Sequence, residues 1–203
     1  IFGSKIAFVS NGTGNKEIYT CAFDGYDPRR LTVNNAITLF PAWSTDSKWM
    51  AFTSYKAGNP DLYIRNLAKG EESRISKQGI NIAPAWAPGK FELAATLSFS
   101  GDQEIYLLTG SGKIIKRLTQ SRGIDVAPTW SPDGKKIAFV SNRAGSAQIY
   151  IKDLGSGKVR RLTYEGSKNT QPSWSPKGDK IAYTCEMSGG HNIFVIGLDG
   201  REP

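Results

Sequence analysis

Four tryptophans recur in one local context: Pro41-Ala42-Trp43-Ser44, Pro84-Ala85-Trp86-Ala87, Pro128-Thr129-Trp130-Ser131 and Pro172-Ser173-Trp174-Ser175. Successive tryptophans are 43, 44 and 44 residues apart. A period of this length constrains the fold strongly, because each unit is then one supersecondary module that buries its apolar face against its neighbours. Two further markers keep the same phase. One reads Arg30-Leu31-Thr32, Arg74-Ile75-Ser76, Arg117-Leu118-Thr119 and Arg161-Leu162-Thr163. The other is an apolar pair after a polar loop: Ile18-Tyr19, Leu62-Tyr63, Ile105-Tyr106, Ile149-Tyr150 and Ile193-Phe194.

The unit from Ala127 to Thr163 shows what the period encodes. Pro128 to Ser131 reads as a short strand, and Ser131-Pro132-Asp133-Gly134 as a type I turn in which Pro fixes φ and Gly tolerates a positive one. Lys136–Ser141 is a second strand, Asn142 to Ala147 a polar loop, Gln148 to Leu154 a third strand, and Val159 to Thr163 a fourth after the Gly155-Ser156-Gly157 turn. Four antiparallel strands joined by tight turns and repeated at this period describe a propeller blade. The tryptophan is expected to pack between blades. The matching turns depart at Ser44-Thr45-Asp46-Ser47, which lacks Pro and Gly, and at Ala87-Pro88-Gly89-Lys90, where Gly comes one place early. Both are expected to form with altered geometry.

The fold class is therefore all-β: a β-propeller of four-stranded antiparallel blades over residues 1–203, at roughly 1–39, 40–82, 83–126, 127–170 and 171–203. The first unit starts at Lys5 without a Pro-x-Trp strand, and the fifth stops near Asp199-Gly200 without an Arg-Leu-Thr strand. Open edges invite association, so these five blades are expected to be a fragment of a six-bladed ring; five blades closed by an unusual latch is the alternative. Cys21 and Cys185 fit no zinc or redox spacing and sit in apolar strands, so buried free thiols are expected. In a six-bladed ring their blades are not neighbours.

The formal charge of +8 is scattered with no basic run, which reads as a solvated surface and gives no nucleic-acid signature. No apolar run reaches eighteen residues, so no transmembrane helix is expected. The start at Ile1 does not read as a signal peptide and is expected to be that of a mature region or of a segment cut from a longer chain.

The stretch Ala127-Pro128-Thr129-Trp130-Ser131-Pro132-Asp133-Gly134-Lys135-Lys136-Ile137-Ala138-Phe139 resembles the WD-like repeat of the TolB family. That repeat is shared with propellers of prolyl-oligopeptidase-like and tricorn-like peptidases. Three stretches narrow it: Phe2 to Val9 resembles the junction where the family's propeller begins, Phe23-Asp24-Gly25-Tyr26-Asp27 its first-blade turn, and Thr163 to Trp174 its polar loop before an inner strand. The resemblance covers the chain; the family's N-terminal α/β domain and a sixth blade have no counterpart here. It implies a non-catalytic periplasmic scaffold of the Tol-Pal envelope system. The expected partners are a Pal-like peptidoglycan-associated lipoprotein at one channel mouth and other Tol proteins through the N-terminal domain. The alternative is a substrate-gating propeller of a serine peptidase.

The residues supply no catalytic constellation. His191 is the single histidine, read as lying in a loop, and no Gly-x-Ser-x-Gly elbow occurs. One His and two distant Cys do not make a zinc site. The Gly12-Thr13-Gly14 loop precedes a strand, so the helix terminus that would bind phosphate is missing. No cofactor is expected, although oxygen ligands from several blades could converge on calcium in the channel. The better functional surface is the ring of loops joining each outer strand to the next inner strand, with the second-to-third-strand loops beside them. On that face the expected partner-binding residues are Asn34, Asn35, Asn81, Arg122, Asp125, Asn169, Thr170, Gln171 and His191.

Overall fold

The computed structural model describes residues 4–75, 78–187 and 189–200, so the junction residues 1–3, Ser76 of the second Arg marker and the loop residue Lys77 lie outside the described residues. Five sheets follow one another along the chain, all antiparallel and each in sequence order. The first holds β1 (Lys5–Ser10), β2 (Glu17–Ala22) and β3 (Arg29–Arg30). The second holds β4 (Thr38–Trp43), β5 (Trp49–Ser54), β6 (Asp61–Asn66) and β7 (Glu72–Arg74). The third holds β8 (Asn81–Trp86), β9 (Glu92–Leu97), β10 (Glu104–Thr109) and β11 (Ile114–Arg117). The fourth holds β12 (Asp125–Trp130), β13 (Lys136–Ser141), β14 (Gln148–Asp153) and β15 (Val159–Arg161). The fifth holds β16 (Lys168–Trp174), β17 (Lys180–Met187) and β18 (Gly190–Gly197). Among the described residues there is no helix. The first and last sheets have three strands, as the missing Pro-x-Trp and Arg-Leu-Thr markers require. Neighbouring blades touch through their inner strands, and among the described residues no strand of the fifth blade touches the first.

The core is divided among the interfaces between blades. Trp43 packs with Ile18, Met50, Phe52 and Tyr63 between the first two blades. Trp86 packs with Leu62, Ile64, Leu93 and Leu97 between the second and third. Trp130 joins Ile105, Leu118, Ile137 and Phe139, and Trp174 joins Val140, Ile149, Ile181 and Tyr183. The middle strands β5, β9 and β13 are covered on both faces and are buried from their second residue onward. At the end of the arc Ile193 is 80% exposed, whereas its equivalents Ile18, Leu62, Ile105 and Ile149 are fully buried. The tryptophan also ties blades by a hydrogen bond: Trp86 Nε1 donates to Ala42 O at 3.2 Å and Trp130 Nε1 to Ala85 O at 3.0 Å. Trp130 is half-buried, so the expected plug holds with an open side, and Trp86 is the fully packed one. Cys21 and Cys185 are free and buried, as expected, and burial pushes the Cys185 thiol up.

Every inner strand begins before its Pro-x-Trp motif and carries one extra residue there. The register passes from Leu39 opposite Thr53 to Ala42 opposite Ala51, and the same shift recurs in β8, β12 and β16. The residue before each proline takes a positive φ: Phe40 54°, Ala83 53°, Ala127 52° and Gln171 53°. This β-bulge explains the proline, which has no N–H for the ladder and sits where a ladder bond is already lost.

The turns on the opposite face behave as their sequences suggest. Ser131 Oγ donates to Asp133 Oδ1 at 2.6 Å and accepts from Lys136 N at 2.9 Å, and Gly134 has φ +68°. Ser47 takes the positive φ where Gly is missing, and Gly89 takes it one place early. The serine hydroxyl holds Asp46, Asp133 and Asp179 below the usual carboxylate range.

Two outcomes follow from this packing. Trp86→Ala should lower the unfolding free energy by about 3–5 kcal/mol in urea denaturation; a change near zero would mean that the interface holds without its plug. The three turn aspartates stabilise the fold fully above the unfolded carboxylate pKa of about 3.9, and that contribution fades as pH falls through their lower folded values. The combined Asp46→Asn, Asp133→Asn and Asp179→Asn variant should therefore show a flatter acid limb in a plot of melting temperature against pH.

Candidate functional site

One face of the arc carries two sets of loops that are bonded to each other. Tyr55 N donates to Ile37 O at 2.9 Å, Ser98 N to Ile80 O at 3.0 Å, and Ser167 N to Glu186 O at 3.0 Å. Side chains reinforce this contact: Ser98 Oγ accepts from Ile80 N at 2.8 Å and Asn142 Oδ1 from Ile124 N at 2.7 Å. Loops from the outer strands and loops between the second and third strands thus form a single rim, as the sequence implies.

A buried polar clasp lies beneath the rim and holds the loops that leave the first, third and fourth blades. In the first blade Glu17 is fully buried; its carboxylate accepts from Thr32 Oγ1 at 2.5 Å, Asn34 N at 2.7 Å and Asn35 N at 2.9 Å, and pairs with Arg30 at 3.1 Å. Thr32 Oγ1 in turn accepts from Ile18 N at 3.0 Å, and Arg30 Nε donates to Thr32 O at 2.8 Å. Glu104 repeats the arrangement with Thr119, Ser121 N and Arg117 in the third blade. Asp61 pairs with Arg74 in the second. In the fourth, Gln148 Oε1 accepts from Thr163 Oγ1 and Asn169 Nδ2, both at 2.8 Å. Arg161, with no carboxylate partner among the described residues, lies with its guanidinium 4.7 Å from the Tyr164 ring centre. The Arg-apolar-Thr marker is the outer half of this clasp. Its inner half was missed in the sequence reading, although Glu17, Asp61, Glu104 and Gln148 each stand one residue before the Ile-Tyr marker.

A residue at the start of each inner strand, the first of β4, β8 and β12 and the second of β16, locks the loop to the preceding blade. Thr38 N donates to Lys16 O, Asn81 N to Pro60 O, Asp125 N to Gln103 O and Asn169 N to Ala147 O, at 2.8 to 3.0 Å. This corrects the placement expected for three candidates. Asn81, Asp125 and Asn169 are fully buried and hold the loops instead of facing outward. Asn81 Nδ2 donates to Gly79 O, Asp125 accepts from Ser121 Oγ and pairs with Arg143 at 2.7 Å, and Asn169 bonds Gln148 and Glu165 O. The physical reason is that β8, β12 and β16 start upstream of their prolines, so these side chains lie within the sheet edge. Asn34 is half-buried and bridges to Thr38 and Ser54. Thr170 is within β16 opposite Thr184, and Gln171 is the exposed bulge residue there, accepting from Thr184 Oγ1 at 3.1 Å. Phe40, Ala83, Ala127 and Gln171 with their prolines line a channel cavity of about 280 Å³. His191 lies in β18 opposite Glu186, not in a loop, because Gly189 and Gly190 at φ +114° and +139° let the hairpin close tightly. Asn35 and Arg122, at equivalent loop tips, are exposed as expected.

One exposed position of the rim is apolar in three successive loops. Ile37, Ile80 and Ile124 occupy equivalent positions in successive rim loops and are 45%, 37% and 41% exposed, and Tyr164 in the next loop is 71% exposed. Lys168 takes the isoleucine position in the fourth loop. Among the described residues no three of His, Cys, Asp and Glu gather as metal ligands would.

A family profile described as TolB beta propeller domain matches residues 1–202. A Tol-Pal system protein TolB of Desulfosudis oleivorans is 63% identical over 121 residues, covering 60% of this chain and 28% of that protein. The crystal structure of TolB from Acinetobacter baumannii aligns with a TM-score of 0.86 at 34% identity over 98% of this chain and 51% of that one. A puromycin-hydrolysing peptidase of Mycobacterium tuberculosis shares the fold, with a TM-score of 0.75 at 15% identity over the whole of this chain and 35% of that one. The chain thus spans between about a quarter and a half of the length of its TolB relatives.

The clasp can be tested within the repeat. Glu104→Ala leaves Arg117 and Thr119 without their buried partner and should cost about 3–5 kcal/mol in chemical denaturation. Glu104→Gln reproduces the fourth blade's native solution and should cost about 1 kcal/mol. Equal costs would show that charge, and not shape and hydrogen bonding, holds the rim loop.

Proposed function

The chain belongs to the TolB β-propeller domain family, and on that premise we propose that it is a non-catalytic, periplasmic protein-binding scaffold whose rim face docks a Pal-like lipoprotein. The observation that carries the reading is the row of exposed Ile37, Ile80 and Ile124 set at equal positions on a clasped rim. Isolated exposed apolar side chains are ordinary, but a repeated set on one face is the signature of a contact surface. Asn35 and Arg122 stand at the tips of two of these loops and the exposed Tyr164 begins the next, which gives an apolar centre with hydrogen-bonding groups around it. Tyr and Arg are the residue types that most often dominate such contacts. The rigid clasp lowers the ordering cost of binding, because the loops are already held before a partner arrives.

The buried Asn81, Asp125 and Asn169 enter this reading as supports, so contact is assigned to their exposed neighbours. Ile80→Ser and Ile124→Ser, singly, should each weaken binding of a soluble, delipidated Pal-like protein by about 1–2 kcal/mol or more, measured by calorimetry with a complete propeller. Lys135→Ala and Lys177→Ala on the opposite face should leave it unchanged. Equal losses from both faces, or none from either, would reject the rim as the docking surface.

A further inference from the structure

We propose that the groove between the third and fourth blades binds a carboxylate, held by Arg143 and Lys152 with Arg117 at its edge. The argument comes from comparing equivalent positions in different blades. In the second blade Lys56 and Arg65 point at one glutamate: Glu72 pairs with Lys56 Nζ and stands 3.6 Å from Arg65 Nη1. Strand register makes these positions equivalent to Arg143, Lys152 and Val159 in the fourth blade, since Arg65 lies opposite Glu72 and Lys152 opposite Val159. The aromatic beneath the first cation is also shared: Lys56 Nζ lies 4.1 Å from the Tyr63 ring centre, and Arg143 Cζ 4.8 Å from that of Tyr150. The fourth blade thus keeps both cations and replaces their carboxylate with valine. In the third blade the same three positions are apolar throughout, as Phe99, Leu108 and Ile114. Only the fourth blade sets a cation pair against an aliphatic residue.

A cavity of about 340 Å³ opens there, lined by Arg117, Gln120, Arg143, Lys152 and Val159 among others. Two carboxylates are near, and both are already engaged. Asp125 takes Arg143 Nη2 at 2.7 Å, and Glu104 takes Arg117 Nη2 at 2.9 Å, while Ser141 Oγ and Thr119 O accept from the two Nε groups. Each guanidinium carries five N–H donors, so Nη1 of both arginines remains without a partner among the described residues. Lys152 is half-buried and makes no ion pair or side-chain hydrogen bond among the described residues. A ligand carboxylate between Arg143 and Lys152 would occupy the place that Glu72 fills from within the second blade. The inferred ligand is a glutamate-like carboxylate on a short methylene arm, either free or on an extended peptide. The site lies where the blade flank meets the rim, and it stands whether or not the rim docks a lipoprotein.

The test is a ¹⁵N-amide titration of the 203-residue chain at low salt with glutarate, with the neutral analogue glutaramide, and with the peptide acetyl-Gly-Glu-Gly-amide. Saturable shifts at residues 143, 152 and 159 with glutarate, and none with glutaramide, are expected; a peptide response weaker than that of glutarate identifies a free small carboxylate as the ligand, and a stronger one a peptide. Val159→Glu should abolish the response by filling the site from within, and should raise the melting temperature. Lys152→Met should weaken binding at least tenfold. Glu72→Val should open a second site, seen as new shifts at residues 56 and 65. Should Val159→Glu not fold, Lys152→Met and Glu72→Val decide the matter alone. No saturation in the unmodified chain, or unchanged binding in Lys152→Met, would overturn the proposal.

Discussion

A carboxylate or amide buried at the start of β2, β6, β10 and β14 is the interaction on which the rest of this structure depends. Glu17 and Glu104 gather the outer strand through Thr and Arg and the rim loop through backbone N–H groups, while the first residue of the next inner strand bonds the adjoining carbonyl. One buried anion thus links two blades and the loop between them. Burying it without these partners would cost several kcal/mol, so the network acts as a unit: loss of the Thr or the Arg leaves the acid stranded. The fourth blade shows that charge is not essential. Gln148 keeps the shape, gives up the ion pair, and frees Arg161 to lie on Tyr164.

The tryptophans and the bulges complete this frame. Each interface is a separate small core, so the arc behaves as a chain of nearest-neighbour contacts. The bulge places four non-glycine residues at positive φ, a conformation that costs of order 1–3 kcal/mol each when unsupported. Support is visible at two of them: Ala83 N donates to Thr53 Oγ1 at 3.1 Å and Ala127 N to Thr96 Oγ1 at 3.3 Å, in each case across to the preceding blade. The strain is thereby tied to blade docking and shapes the channel wall.

The fold was legible because its markers are spaced by geometry. Trp43 to Trp174 recur at one period, and the absence of a Pro-x-Trp strand before Lys5 and of an Arg-Leu-Thr strand after Asp199 matches the two three-stranded sheets. The rim was legible as a set of loops and less so as a set of side chains. Asn81, Asp125 and Asn169 are polar and stand beside turn-like sequence, yet all three are buried, because a polar residue that closes a loop looks in sequence like one that meets a partner. The bulge hid the start of each inner strand: a proline reads as a strand's first residue, whereas here it sits mid-strand where the ladder is already broken. The clasp acids were readable in principle, one place before the Ile-Tyr marker, but a single glutamate among scattered charges gives no signal until register sets it opposite Arg and Thr.

The repeat divides labour between positions in a way that bears on how such a surface changes. The clasp reaches the rim loops mainly through backbone N–H groups: Asn34 and Asn35 to Glu17, and Ser121 to Glu104. Backbone donors are indifferent to the side chain that follows them, so Asn35 and Arg122 hold equivalent tips with different chemistry, and Ile37, Ile80 and Ile124 give way to Lys168 without loss of the loop. A scaffold fixed by buried polar groups and backbone can vary its exposed face one blade at a time. The same logic separates the two kinds of deviation seen among blades. Where a buried position changes, a neighbour compensates, as Gln148 with Arg161 and Tyr164. Where Val159 replaces the equivalent of Glu72, the two cations remain and, among the described residues, no carboxylate takes the vacated place beside Lys152.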